Sequence, residues 1–352
     1  MPDKKGTTKG NQLKKLDVLY QHDNNYAAWG GVSILSLLMN NSDVDDLTIW
    51  LIDNAVSAEY KNQYDSLAKE YGATIKYLDA NRYIEQAKAA SLPLYRGSCA
   101  TYLKLFAVDD LADEVDRIFY LDSDTLITGD LGELADFDMR GCSCAMCIDA
   151  ISCFIKGYEG FEPDDPYYCG GTILFDAPSW KAKRCTEKIS KYATEVRSQF
   201  FAADQDLLNI VLADDIAMLP LEYDFYYVHA AYPDTVFLKK VGKSRYYSEA
   251  EIADARSKMK VLHFMRFLGE SPWTLRTLHP CRDEFNKYLS LSPWKDIERP
   301  VPAKDFVYRC ERLLYIFMPS GAFLRLFIWA FKRNYKKANE MMQAGRVEDV
   351  GF

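Results

Sequence analysis

The chain has few histidines, no excess of basic charge and no long unbroken apolar run. Four histidines in 352 residues leave little imidazole for metal binding or acid–base work, so each one in a polar setting stands out. Lys and Arg total 43 against 51 Asp and Glu, a net charge of −8. That excludes general nucleic-acid binding, which favours basic surfaces. Nine cysteines is an odd number, so a complete disulfide framework is not expected. Reduced thiols fit a cytosolic location. The polar start Met1-Pro2-Asp3-Lys4-Lys5 lacks the apolar segment of a secretory signal. Internal repeats and low-complexity stretches are missing as well.

What the chain does contain is apolar: 49% of residues are hydrophobic and 14% aromatic. This is enough for one large α/β domain with an appendage, or for two domains. Cys142, Cys144, Cys147 and Cys153 are close enough for a zinc site. The apolar run Cys-Ser-Cys-Ala-Met-Cys-Ile favours small thiols buried in a central strand instead.

Residues 1–14 read as a polar, disordered leader. Strands are then expected at Leu16–Tyr20, Leu47–Ile52, Thr74–Leu78 and Arg117–Leu121. Helices are expected between them at Tyr26–Asn40, Ser57–Tyr71 and Ala100–Leu111. Such alternation predicts a doubly wound parallel sheet with right-handed crossovers. Further on come strands at Gly141–Ile148 and Gly171–Phe175, and one substantial helix over Trp180–Phe201. A second helix is expected over Ala203–Val211, with Asp204 as its N-cap. Short aromatic strands follow at Tyr223–Tyr227 and Lys260–Phe264.

Asp122-Ser123-Asp124 directly follows the fourth strand. Carboxylates at i and i+2 of extended backbone point the same way, and in an open α/β sheet that end faces the ligand crevice. Two hard oxygen donors there suit Mg²⁺ or Mn²⁺ and, through the metal, a diphosphate. An isolated pair of this kind is otherwise a solvated acidic turn. At the other end of the chain, Arg312–Phe331 is aromatic and apolar but interrupted by Pro319, Ser320, Gly321 and Arg325, so it does not span a bilayer. Lys332, Arg333, Lys336 and Lys337 follow. A helix lying on a lipid surface fits this pattern; packing on the core, or a dimer contact, is the alternative.

Five motifs in order resemble the bacterial family 8 retaining glycosyltransferases, the group of the lipopolysaccharide α-1,4-galactosyltransferases and glycogenin. They are Asp17–Ala28 around Asp23-Asn24-Asn25-Tyr26, Thr101-Tyr102-Leu103-Lys104-Leu105, Arg117–Thr125, Asp204-Gln205-Asp206 with Asn209, and His263-Phe264 with Gly269 and Pro272-Trp273. The similarity runs from about Leu16 to Trp273. It implies a GT-A type, Rossmann-like, mostly parallel sheet flanked by helices over 15–272. A helical C-terminal extension over 273–352 would be the membrane-surface segment.

The resemblance also implies a retaining transfer of glucose or galactose from a UDP-sugar, with Mn²⁺ (or Mg²⁺) as cofactor. Asp122, Asp124 and His263 would be the metal ligands, although a buried, hydrogen-bonded histidine is the other reading of His263. Asp23, Asn25, Tyr26, Tyr102, Lys104, Asp122, Ser123, Gly269 and Trp273 would bind the nucleotide. Asp23 and Asn25 offer an acceptor and an amide for uracil, and are equally suited to a turn before the Tyr26 helix. Lys104 stands where the family usually has Arg, a point charge in place of a fork.

Gln205, Asp204, Asp149 and Asp206 are the catalytic candidates; helix-start capping is the alternative for Asp204 and Asp206. An amide is a poor nucleophile, so a front-face displacement is expected, with the leaving phosphate taking the acceptor's proton. Cys169-Gly170-Gly171 replaces the family's usual Asn-Ala-Gly. Ser271 replaces a diphosphate-binding Lys, and Arg266 is the nearest substitute for that charge.

The expected acceptor is a lipid-linked or cell-surface glycan, met by the loops Ile151–Tyr168 and Ala230–Tyr247. The expected location is the cytoplasm, on the inner face of the plasma membrane. No nucleic-acid partner is expected, and oligomeric state is left open. A UDP-sugar hydrolase, or a nucleotide-sugar-binding protein that has lost turnover, are the rival readings.

Overall fold

A computed structural model describes residues 14–343 apart from 96, 155, 157–160, 197–201 and 303–305. Most of the expected leader therefore lies outside the described residues, as do parts of the Ile151–Tyr168 loop and the end of the Trp180–Phe201 segment. Among the described residues ten strands form two sheets: β1 (Lys15–Asp23), β2 (Asp46–Asn54), β3 (Thr74–Asp79), β4 (Arg117–Leu121), β5 (Thr125–Ile127), β6 (Cys144–Ile148), β7 (Tyr168–Asp176), β8 (Ile216–Met218), β9 (Phe225–Tyr226) and β10 (Val261–His263).

The main sheet has the order β3-β2-β1-β4-β7-β6-β8. Its pairings are parallel except for those of β7 with β4 and β6, so β7 alone runs backwards. This is the mostly parallel sheet expected, with β7 as its one reversed strand. Apolar residues fill β1, β2, β4, β6 and β7 on both faces, as a sheet covered by helices on each side requires. Cys144 and Cys147 are buried in β6, and all nine cysteines are free. Among the described residues the four clustered cysteines form no ligand group.

The helix Ala27–Asn40 is buried along most of its length and holds Gly30 and Gly31 in its interior, where glycine costs about 1 kcal/mol relative to alanine. Close packing explains them. A Cβ on Gly30 would stand 2.6 Å from His22 Nδ1, and one on Gly31 would stand 2.5 Å from Trp294 Cζ3. Trp294 also donates to Gln63 at 2.6 Å, while Phe285 packs on Trp29 and Trp273. The packed core thus continues past residue 272, through Phe285 and Trp294 to Phe323 and Leu324.

The expected Trp180–Phe201 helix is two helices, Ala177–Ala182 and Cys185–Val196. Arg184 at φ 57° breaks them. Trp180 Nε1 donates to Thr186 Oγ1 at 2.8 Å, and Thr186 donates to the Leu105 carbonyl at 2.9 Å. These bonds fix the corner against the neighbouring helix Leu103–Leu111. Two C-terminal helices, Phe306–Phe317 and Ser320–Gln343, meet at Pro319. Among the described residues no helix is long and apolar enough to cross a membrane.

Candidate active site

The small sheet β5-β10-β9 builds the metal-competent corner. Asp122-Ser123-Asp124 is not the extended segment expected but a turn between β4 and β5, closed by Thr125 N–H on the Asp122 carbonyl at 3.2 Å. β5 then pairs with β10 so that His263 lies opposite Thr125. The Phe264 amide donates to the Asp124 carbonyl at 2.9 Å. Main-chain pairing therefore delivers a residue from far along the chain to the acidic turn.

Ligand atoms of Asp122, Asp124 and His263 all lie within 4.8 Å of one another, with His263 Nε2 3.4 Å from an Asp124 oxygen. Asp224, immediately before β9 and fully buried, accepts from His263 Nδ1 at 2.9 Å. It also accepts from Tyr226 OH at 2.9 Å. This bond leaves Nε2 facing the two aspartates. Asp224 was not anticipated from sequence; its only signal is a lone acid within an aromatic run.

Gly171 is the floor of this corner. A Cβ there would stand 2.9 Å from Asp122 Oδ2 and 3.1 Å from His263 Nε2, so the space between the ligands exists only because the side chain is missing. Two carboxylates and one imidazole around such a cradle are a donor set for a divalent ion, and the imidazole suits Mn²⁺ better than Mg²⁺.

Electrostatics follow from burial. Burial pushes the Asp122 carboxyl up to about 6; Lys104 opposes the rise and Asp124 adds to it. Burial also acts to raise Asp124, but the charge and hydrogen bond of His263 outweigh it and hold that carboxyl low. For His263, burial is overcome by Asp224 and Asp124, which favour its charged form. In the metal-free protein this imidazolium partly offsets the acidic cluster.

A cleft of about 650 Å³ opens beside this corner, lined by Asp23, Tyr26, Lys104, Ser123, Asp149, Asp204 and Gln205 together with the three ligands. Lys104 is buried, 2.7 Å from an Asp204 oxygen and 3.0 Å from the Gly170 carbonyl. Asp204 also accepts from Thr101 Oγ1. It is not the expected N-cap: the cap position belongs to Ala203 and has no side-chain bond. The carboxylate is drawn to the Lys104 ammonium across the cleft wall.

Gln205 is held at both ends of its amide, accepting from Gly170 N–H at 2.8 Å and donating to Asp149 Oδ2 at 2.9 Å. The other Asp149 oxygen accepts from the amides of Ile151 and Ser152 at 2.6 and 2.9 Å. Burial raises the Asp149 carboxyl in spite of these bonds.

Other expected residues are placed elsewhere. Asp206 is turned away from the cleft, accepting from Tyr167 OH and from Ala202 N–H. Tyr102 is buried in the core and does not line the cleft. Asn25, Gly269 and Trp273 line a neighbouring cavity of about 540 Å³, which shares Tyr26 and Arg266 with the cleft. Asp23 accepts from the amides of Asn25 and Tyr26 at 2.9 and 3.1 Å, the turn geometry expected before that helix. Ser123 donates to the Gln21 carbonyl at 2.9 Å. Ser271 lines the neighbouring cavity.

A sequence model for glycosyl transferase family 8 matches residues 17–275. General stress protein A of Bacillus subtilis is 26% identical over 285 residues, covering 79% of this chain and 94% of that one. A lipopolysaccharide 1,2-glucosyltransferase of Escherichia coli is 25% identical over 301 residues, covering 84% of each. The solved structure of the galactosyltransferase LgtC with donor and acceptor sugar analogs superposes with a TM-score of 0.62 at 20% identity. That superposition covers 84% of this chain and 99% of LgtC. The fold is thus the GT-A-like α/β architecture expected.

Proposed function

The chain belongs to glycosyl transferase family 8, and from that premise we propose that it is a metal-dependent, retaining hexosyltransferase. It moves glucose or galactose from a UDP-sugar to a lipid-linked or cell-surface glycan. The observation that carries this reading is the convergence of Asp122, Asp124 and His263 on the space above Gly171, beside the pinned Gln205 amide.

Bound there, Mn²⁺ (or Mg²⁺) would supply Lewis-acid neutralisation of a leaving diphosphate. The residues of the chain do the rest. Asp23, Tyr26 and Ser123 lie where β1 ends and the nucleotide is expected. Lys104 neutralises Asp204 and fixes its carboxylate at the cleft wall. Gln205 presents an amide that cannot turn, because Gly170 and Asp149 hold both of its ends.

Retention by double displacement needs a free carboxylate beneath the sugar. Asp149 and Asp204 are both engaged, the first by two amides and Gln205, the second by Lys104 and Thr101. Their engagement supports a front-face displacement, in which the departing phosphate oxygen takes the proton of the acceptor hydroxyl as the new glycosidic bond forms.

The C-terminal helices support a membrane-surface role. Phe306 and Phe317 are 80% and 79% exposed, and Trp329 57%, with Lys332, Arg333, Lys336 and Lys337 nearby and exposed. Exposed aromatics next to basic side chains suit an anionic lipid interface. The test of the whole reading is a screen of UDP-sugars for UDP release with and without Mn²⁺, using a membrane lipid extract as acceptor. Manganese-dependent release from UDP-glucose or UDP-galactose is expected; absence of such release from every UDP-sugar would overturn the assignment.

A further inference from the structure

The helix Ser320–Gln343 does more than carry exposed aromatics. Its inner face anchors it: Phe323 and Leu324 are buried. Phe323 packs on Tyr315 at 5.2 Å, and Tyr315 packs in turn on Phe267 at 4.8 Å. Phe267 belongs to the loop that follows His263. One and two turns further along the same face, Phe327 and Phe331 are only half-buried and line the cleft that holds Asp122, Asp149, Asp204 and Gln205. Their rings are stacked, 6.0 Å apart at 12°, and form an aromatic part of the cleft lining.

The two rings share the cleft lining with Ile151 and Ser152, from the segment after Asp149. Asp23 and Tyr26, where β1 stops, line the same cleft. A cleft lined by carboxylates, an amide and aromatic rings matches the two-sided chemistry of a pyranose. Hydroxyls need hydrogen-bonding partners, while the ring's axial C–H face is apolar and positive towards the negative face of an aromatic ring. If packing alone were required, these rings would be buried as Phe323 is.

We propose that Phe327 and Phe331 form a stacking platform for a pyranose ring of the glycan acceptor, contributed by the C-terminal helix to the family's catalytic cleft. The assignment of that ring to an acceptor rests on the transferase reading above.

The test uses the full chain with Phe327→Leu and Phe331→Leu, which keep apolar volume but lose the aromatic face, and Phe331→Tyr, which keeps it. Saturation-transfer NMR in the presence of UDP and Mn²⁺ would follow methyl α- and β-glucosides, methyl α- and β-galactosides and lactose. Calorimetry would follow UDP. Glycoside affinity is expected to fall roughly 3- to 10-fold in each Leu variant and to be retained in Phe331→Tyr. UDP affinity should stay within about twofold.

Glycoside affinity unchanged in the Leu variants, or a wild-type protein that binds none of these glycosides, would overturn the platform. A parallel loss of UDP affinity would also overturn it, since the rings would then serve the nucleotide. Wild-type protein that binds glycosides through these rings yet releases no UDP from any donor would sink the transferase reading and leave the platform standing.

Discussion

Asp224 holds His263 in place: its buried carboxylate accepts the imidazole Nδ1–H at 2.9 Å and so commits Nε2 to the aspartates of the β4–β5 turn. A ligand histidine without such a partner can rotate or take the other tautomer. Asp224→Asn keeps the shape but replaces the acceptor with an amide. Mn²⁺ affinity, read by electron paramagnetic resonance of the free ion, is expected to fall about 10- to 100-fold. UDP binding in the presence of Mn²⁺ should weaken with it. Unchanged Mn²⁺ affinity would show that Asp224 only fills the core.

Gly171→Ala tests the cradle itself. The new methyl carbon would stand 2.9 Å from Asp122 Oδ2, in the space a metal would occupy. Loss of measurable Mn²⁺ binding is expected, with far-UV circular dichroism unchanged because the backbone at 171 suits any L-residue. Retained metal affinity would move the ion elsewhere.

Lys104 and Asp204 form a buried pair, each under a tenth exposed. Removing one charge leaves the other uncompensated, which costs about 3–5 kcal/mol. Lys104→Met should therefore lower the urea midpoint sharply. The double variant Lys104→Met with Asp204→Leu should recover most of that loss, since a packed apolar pair of similar size is often neutral. A double variant no more stable than the single one would refute the pairing as the source of the effect.

Much of this site was legible in the sequence because its parts sit at strand ends. Apolar runs fixed β1, β2 and β4 to within a few residues; Asp23 closes β1 and Asp122 directly follows β4. Two kinds of feature were not legible. The Asp122–Asp124 turn and the reversed β7 depend on pairings between distant segments, which periodicity within a segment does not encode. The capping expectation for Asp204 failed because capping is the local use of such a residue, whereas its partner Lys104 lies a hundred positions earlier and reaches it only through the fold. Tyr102 carries its motif, yet its side chain is buried in the core, which the motif alone does not reveal.

Acid sensitivity should come from the buried histidines outside the metal corner; burial lowers His229 and lowers His22 and His279 further. Burial holds His22, between Ser123 and Tyr64, down to about 4. It does the same to His279, which donates to the Phe264 carbonyl. Each is neutral in the folded protein while the unfolded chain takes up a proton below about 6.5. Their stabilisation is therefore complete above about 6.5 and is lost as pH falls towards about 4, by on the order of 3 kcal/mol each. Chemical denaturation at about pH 7 and about pH 5 should show the decline, and His22→Gln should flatten it. An equal pH dependence in the variant would remove His22 from the account.

The tail offers a separation of two roles along one segment. Phe306, Phe317 and Trp329 face solvent, whereas Phe327 and Phe331 face the cleft. Truncation after Val301 would remove both sets and confuse them, so the outward residues should be changed alone. The triple variant Phe306→Ser, Phe317→Ser, Trp329→Ser removes apolar area that would enter the acyl boundary, worth about 1.5–3 kcal/mol for each large side chain fully buried. Co-sedimentation with phosphatidylglycerol-containing liposomes should fall at least about 10-fold. Binding by the unaltered protein should weaken in high salt, because the four basic residues after Phe331 act through screened attraction. Transfer to a water-soluble glycoside, which needs no membrane, should survive the triple variant. Liposome binding that survives it, or that ignores salt, would exclude this face as the docking surface and leave the exposed aromatics to a protein partner.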